Sequence, residues 1–215
     1  MNVELQGRDP RQWRSERATV IRRFFGALGK RVIYFGGYGE LGYEETGLVQ
    51  TIAAQVLRAW PPASVVVHSG TLLRAGGQNG IADVYVVARA LGIKSTGIHP
   101  SVALDFADTH RVSPYCDHAF FVEDRTWGGF LAGAEQPSPT LQLHLAVSHE
   151  LIMIGGGKHA ADELKAFVGS GKRVRFFPAE MNHATARQWA ARAGVELQDL
   201  RGAAHQFWTS IQRNS

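Results

Sequence analysis

Asp162 and Glu163 stand side by side in the stretch L-I-M-I-G-G-G-K-H-A-A-D-E-L (151–164): an apolar run, three glycines, then the two acids. Two roles are open to such a pair. Acids at the start of a helix favour the positive end of its dipole. Alternatively, a buried carboxylate facing a ribose can act as acid or base, or stabilise an oxocarbenium-like centre. Gly155, Gly156 and Gly157 would let a ligand approach the backbone, and the helix start that follows offers N–H groups to an anion. Lys158 and His159 stand beside that point, His159 as a phosphate contact or a helix cap.

Two more glycine-rich turns follow apolar runs. Gly36-Gly37-Tyr38-Gly39 comes after R-V-I-Y-F. Ser69-Gly70-Thr71, continuing to Gly76-Gly77-Gln78-Asn79-Gly80, comes after S-V-V-V-H, and Asp83 follows in G-I-A-D. Asp83 has the same two readings as the acid pair, ligand contact or cap. His99 in I-H-P-S is a further candidate contact. Trp127, in E-D-R-T-W-G-G-F, is a base-stacking platform, a flap or the anchor of a long loop, and P-A-E-M-N-H adds Glu180 and Asn182. Neither standard nucleotide fingerprint is complete: G-G-G-K-H lacks the upstream glycine and the Ser/Thr of a P-loop, and G-G-Y-G-E-L-G is not a G-x-G-x-x-G.

The nine histidines are scattered at 68, 99, 110, 118, 144, 149, 159, 183 and 205, with no H-E-x-x-H spacing. His144, His149 and His159 are the only trio considered for convergence, and no metal or other required cofactor is expected. Cys116, alone, excludes an intrachain disulfide and reads as a small buried residue.

The elements that must position these residues follow from periodicity. Apolar runs at 31–35, 64–68, 93–98, 117–124, 151–154 and 173–177 predict strands. Helical patterns fall at 44–60, 80–91, 159–169, 183–193 and 203–211, with a short V-E-L strand at 195–197. Asp9-Pro10 marks a helix start, and Val20, Ile21, Phe24, Phe25 and Leu28 form its apolar stripe up to Gly29. L-Q-L-H-L-A-V (141–147) alternates like a strand, yet Ser138-Pro139 ahead of it starts a helix, and helix is the reading adopted. Uniformly apolar strands alternating with helices imply an α/β fold, a Rossmann-like three-layer α/β/α sandwich with a mainly parallel sheet. All three glycine turns then lie at one sheet edge, which suits a phosphate-bearing ligand.

A chain of 215 residues, 45% hydrophobic and 20% charged, fits one such domain. It divides into an N-terminal helix (9–28), a nucleotide-binding core (31–178) and a C-terminal helical segment (183–215). The formal charge of +4 is concentrated at the ends. Arg8, Arg11, Arg14, Arg17, Arg22 and Arg23 read as the solvated side of an amphipathic helix, so nucleic acid is not an expected partner. With no signal-peptide pattern and no apolar run of membrane-spanning length, a cytoplasmic protein is expected.

The order of motifs resembles the Rossmann-like SLOG superfamily. The likeness is nearest to LOG, or "lysine decarboxylase-like", proteins and their molybdenum-cofactor-carrier relatives, over about residues 31–178. The resemblance implies a bound nucleotide or related phosphorylated nucleoside and a homo-oligomer, commonly a dimer, with the N-terminal helix a candidate contact. LOG enzymes hydrolyse the N-glycosidic bond of cytokinin ribotides. Laid on their P-G-G-x-G-T-x-x-E turn, I-G-G-G-K-H-A-A-D-E-L puts Gly155 at the proline, His159 at the third glycine and Ala160 at the threonine. Glu163 then matches the catalytic acid. The family's catalytic arginine has no counterpart, since no arginine occurs from Thr126 to Lys158 and only Arg125 lies near. The expected function is a nucleotide sensor or carrier, with a phosphoribohydrolase as the alternative.

Overall fold

The computed structural model describes residues 15–197 and 199–213. The expected helix start at Asp9-Pro10, with Arg8, Arg11 and Arg14, lies outside the described residues. In chain order the elements are β1 (Ser15–Glu16), α1 (Ala18–Leu28), β2 (Arg31–Gly37), α2 (Leu48–Leu57), β3 (Val65–Ser69), β4 (Leu73–Arg74), α3 (Asp83–Ala90) and β5 (Lys94–Pro100). Then come β6 (His110–Arg111), β7 (His118–Val122), α4 (Pro139–Val147), β8 (Glu150–Ile154), α5 (Lys158–Gly169), β9 (Arg173–Phe177), α6 (His183–Ala193) and α7 (Gly202–Gln212).

Seven strands form one sheet in the order β1-β7-β5-β3-β2-β8-β9, and every pairing in it is parallel. β2 shows why the sheet is covered on both sides. Its Ile33 and Phe35 pack with α2 and α3, whereas Val32 and Tyr34, one residue out of phase, meet the cores under α1, α4, α5 and α7. The three-layer α/β/α sandwich expected from the sequence is the fold observed.

Helix boundaries follow local chemistry. Ser138 Oγ accepts from Leu141 N at 3.2 Å, with Pro139 in the first turn, so 139–147 is helix despite its alternation. α1 does not run unbroken from residue 9, because Ser15 and Glu16 are extended and pair with Phe121 and Val122. Its Ile21 and Phe25 are buried against the sheet, with Phe24 and Leu28 partly buried beside them and Val20 exposed. α2 begins at Leu48 rather than 44, because Gly47 is left-handed and Glu44 is taken up by His183 N. Residues 195–197 form no strand; Leu197 instead joins Leu200 and Met181 around Tyr38.

From β2 the chain steps outwards through β3, β5 and β7, then returns to β8 on the other side of β2. The strand order therefore reverses at the β2–β8 pair, and the crevice beyond their carboxyl ends is where ligands of doubly wound sheets bind.

Candidate functional site

A cavity of about 300 Å³ opens at that edge. Gly36 and Gly37 from β2, Ser69 at the end of β3, and Gly70 and Thr71 after it form its floor. The first turns of α5 supply His159 and Glu163, and Arg74, His110 and Trp127 form the rim. Arg74 and His110 are register partners in the antiparallel β4–β6 ribbon, which carries both side chains across the mouth. A Cβ on Gly36 would stand 3.3 Å from Glu163 Oε2, so the missing side chain is what gives this carboxyl its place on the floor.

Glu163 is 15% exposed at its side chain. Burial pushes its carboxyl up from 4.5 to about 7; the Tyr34 hydroxyl draws it back and Asp162 adds to the rise. Beneath it lies an aromatic stack. Tyr34 lies over His68 at 4.7 Å, and His144 closes the group at 4.6 Å from Tyr34 and 4.8 Å from His68. Burial lowers His144 and His99 to about 4 and holds His68 well below its ordinary value. His144 Nε2 donates to Ile98 O at 3.3 Å, so in the neutral ring the bare Nδ1 is the nitrogen facing Glu163.

Asp124 builds the loop that carries Trp127. Its carboxylate is 3% exposed and accepts from Thr126 N and Oγ1 at 2.8 and 2.7 Å, and from Thr140 N and Oγ1 at 3.0 and 2.6 Å. Burial alone would raise its pKa; the Thr140 and Thr126 donors outweigh it and hold the group below its usual range. The loop is thereby fastened to the start of α4, and Phe130 N donates to Asp162 Oδ2 at 3.2 Å, tying it to α5. Trp127 itself is 44% exposed, its ring 5.2 Å from Phe106 and 5.8 Å from His110. It is not a buried anchor but a face presented at the cavity rim.

Of the residues singled out in the sequence, Gly36, Gly37, Ser69, Gly70, Thr71, Trp127, His159 and Glu163 come together here. The third glycine turn does not join them. Gly155 is packed by Tyr38 and Ala179, and Gly156, at φ 129°, abuts Ala160 and Ala204, with Ala204 N bonded to Gly156 O at 3.1 Å. Gly156 lets Ala204 of α7 lie against the turn, and the three glycines do not line the cavity. Gly157 ends the turn as the residue ahead of α5, and Lys158 points to solvent. Tyr38 is buried, its ring 5.3 Å from Tyr43. His99 lies under the floor, its Nδ1 at 3.2 Å from Gly70 O.

Asp83 accepts from Gln50 Nε2 at 2.6 Å and Asn79 Nδ2 at 3.0 Å, and with Asn79 and Gly80 lines a separate hollow. Asp162 serves the loop contact already described rather than the floor. Gly76 and Gly77 line a neighbouring cavity. Glu180 pairs with His183 at 2.8 Å, away from the floor, and Asn182 caps α6. Arg125 pairs with Asp105 and does not reach the cavity. His149 bonds Val32 N at 3.0 Å at the opposite sheet edge, so it does not converge with His144 and His159. Among the described residues no group of three or more His, Cys, Asp or Glu could hold a metal ion, and no helix is long and apolar enough to cross a membrane. Cys116 is half-buried rather than fully buried, packed against the core, and burial pushes its thiol up to about 12.

Arg74, His110, Tyr34, His144 and Asp124 carry more of the site than sequence reasoning gave them. Arg74 and His110 depend on the two-residue β4–β6 pairing, too short to announce itself. Asp124 had a local signal, the D-R-T spacing of an Asx turn.

No family model matches the chain, and no curated protein matches it. Among solved structures it is similar to the molybdenum cofactor carrier protein of Chlamydomonas reinhardtii, at 15% identity and a TM-score of 0.46, over 86% of this chain and 99% of that one. It is also similar to the molybdenum cofactor binding protein of Rippkaea orientalis, at 16% identity and a TM-score of 0.47, over 86% and 96% of the two chains.

Proposed function

We propose that this chain binds a phosphorylated nucleoside-type small molecule in the cavity at the carboxyl ends of β2 and β3, and acts as its carrier or sensor. The observation that carries the reading is that two kinds of surface line one cavity. Trp127, backed by Phe106 and His110, offers a flat aromatic face to a base-like ring. Arg74 and His159 stand at the same cavity with cationic or hydrogen-bonding groups for a phosphate, and the glycine backbone of β2 lines it too. The cavity is at the lower end of the roughly 300–1,000 Å³ typical of small-molecule sites.

A second reading, hydrolysis of a nucleotide N-glycosidic bond, has one observation of its own. Glu163, with its carboxyl near 7, is poised at neutral pH between proton donor and proton acceptor. Against it, no arginine occurs from Thr126 to Lys158, and Arg125 pairs with Asp105 rather than lining the cavity. The test is calorimetric titration with nucleoside monophosphates, the matching nucleosides and ribose 5-phosphate. The reading expects the monophosphates to bind at least tenfold more tightly than either fragment. Absence of heat and of thermal stabilisation with every monophosphate sinks it.

A further inference from the structure

We propose, building on that reading, that the ligand is two-headed: a dinucleotide-type molecule whose second ring lies in an adjoining cavity. That cavity, about 440 Å³, is lined by Trp189 and Arg192 of α6, by the Gly76-Gly77-Gln78 turn, and again by Glu40 and Arg74. Glu40 and Arg74 therefore belong to both cavities, and their ion pair, 2.9 Å between Oε2 and Nη1, is the partition between them.

Three features give the second cavity its chemistry. Trp189 is 49% exposed on a helix that buries only Ala186 and Ala190, so its indole is presented rather than packed away. Arg192 lies three residues on, one turn along the same helix face, so a guanidinium and an indole line the same cavity. Gly77 sits close against Arg74, and Gln78 N donates to Glu40 O at 3.3 Å, so the turn is fastened to both members of the ion pair. The partition has half-exposed side chains on both partners, and such pairs are weak. A pyrophosphate bridge replaces Glu40 on Arg74 with a fork-matched, charge-assisted contact. One ring then stacks at Trp127 and the other at Trp189, the phosphates crossing at Arg74.

Calorimetry on the whole chain tests this with AMP, GMP, CMP and UMP, each beside its symmetrical dinucleoside pyrophosphate. At least one pyrophosphate should bind tenfold or more tighter than its monophosphate. Trp189→Ala and, separately, Arg192→Ala should remove that gain, leaving the monophosphate affinity within twofold and the melting temperature unchanged. Trp127→Ala should weaken both probes. Equal affinity of the two probe types, or a gain that survives both α6 substitutions, overturns the two-headed ligand while leaving the mononucleotide site standing. If no monophosphate binds, the reading under Proposed function fails, and this inference fails with it.

Discussion

Glu163 Oε1 stands 3.8 Å from Nδ1 of His144, beyond hydrogen-bond reach, with the Tyr34 ring against the same imidazole. At neutral pH the imidazole is uncharged and the carboxyl is near half-protonated. The floor of the cavity therefore changes charge within the physiological range, and it does so under a site read as taking an anion.

This fixes a pH dependence for binding. Below about 7 Glu163 is protonated and the floor is neutral; above it a carboxylate faces the phosphate. Affinity for a nucleoside monophosphate should fall by about tenfold as pH rises from 6 to 8.5, the scale of one pKa unit of coupling. In Glu163→Gln the fall should vanish. The ligand's own second ionisation is common to both proteins, so the difference between their profiles is the measurement.

Stability carries the opposite signs from the two kinds of group. Glu163 has a raised folded pKa, so its contribution is fully present below 4.5 and is lost as pH rises to about 7. His99 and His144, lowered to about 4, contribute fully above 6.5 and lose that contribution as pH falls towards 4. His68 acts in the same direction. The histidines outnumber the acid, so the urea midpoint should drop between pH 6.5 and 4. Glu163→Gln removes the opposing group and should steepen that drop. A midpoint flat across this range would contradict the burial of all three rings.

How much of this was legible follows from the range of each signal. The apolar runs and helical periods placed the strands and most helices, because two-sided burial of a parallel sheet writes itself along each strand. The helix at 139–147 was readable only through Ser138 and Pro139, since its alternation argued otherwise. Of the site, Gly36, Gly37 and Gly70 were visible because they sit at strand ends, and Glu163 because it stands in the first turns of the helix after a glycine turn. Gly156 looked the same from its neighbours, yet besides Ala160 beneath it the turn is closed by Ala204, more than forty residues on. A contact at that separation leaves no local pattern. Arg74 and His110 were hidden for the same reason, being joined only by a two-residue ribbon.

Gly156 makes that distinction measurable. A valine there would place Cβ against Ala160 at a left-handed backbone that only glycine adopts easily. Gly156→Val should cost at least about 2–3 kcal/mol in chemical denaturation, combining backbone strain and overpacking. It should lower the melting temperature before ligand is added. An unchanged melting temperature with binding lost would return this turn to the binding site.

Arg74 and Glu40 give paired effects of opposite sign. If Arg74 holds the phosphate, Arg74→Ala should weaken monophosphate binding by about 10- to 100-fold, the scale of a hydrogen bond to a charged group. Glu40→Ala releases Arg74 from its competitor and should tighten binding by a few-fold. Both residues are half-exposed, so stability should move by about 0.5 kcal/mol or less. Calorimetry on the two variants decides it, and weaker binding in Glu40→Ala would contradict the competition.

Asp124 sets the position of Trp127 without touching the ligand. Its four accepted hydrogen bonds are spent on Thr126 and Thr140, and its carboxylate is buried. Asp124→Ala leaves four donors without that partner and should cost about 3 kcal/mol or more. Asp124→Asn should weaken ligand binding through a looser Trp127 loop, visible as a red-shifted tryptophan emission. Trp127→Ala should weaken binding by about tenfold with stability within about 1 kcal/mol, since its ring is already exposed.

Carrier and hydrolase part at Glu163. If the carboxyl acts on the ribosyl centre, its contribution is made in the transition state, while Arg74, Trp127 and the glycine floor hold the ligand in ground and transition states alike. Losing a group of the first kind changes turnover and leaves affinity almost untouched. Glu163→Gln would then cut release of free base by about 100-fold or more, with binding at pH 6, where the carboxyl is protonated, within a few-fold of wild type. In the carrier reading wild-type protein releases no base from any nucleoside monophosphate, and the substitution alters only the pH profile of binding. Chromatography of base release from the four monophosphates, beside calorimetry on both proteins at pH 6 and 8.5, separates the two. Wild-type base release lost in Glu163→Gln makes the protein an enzyme, and the same glutamate that tunes affinity would be the group that does the chemistry.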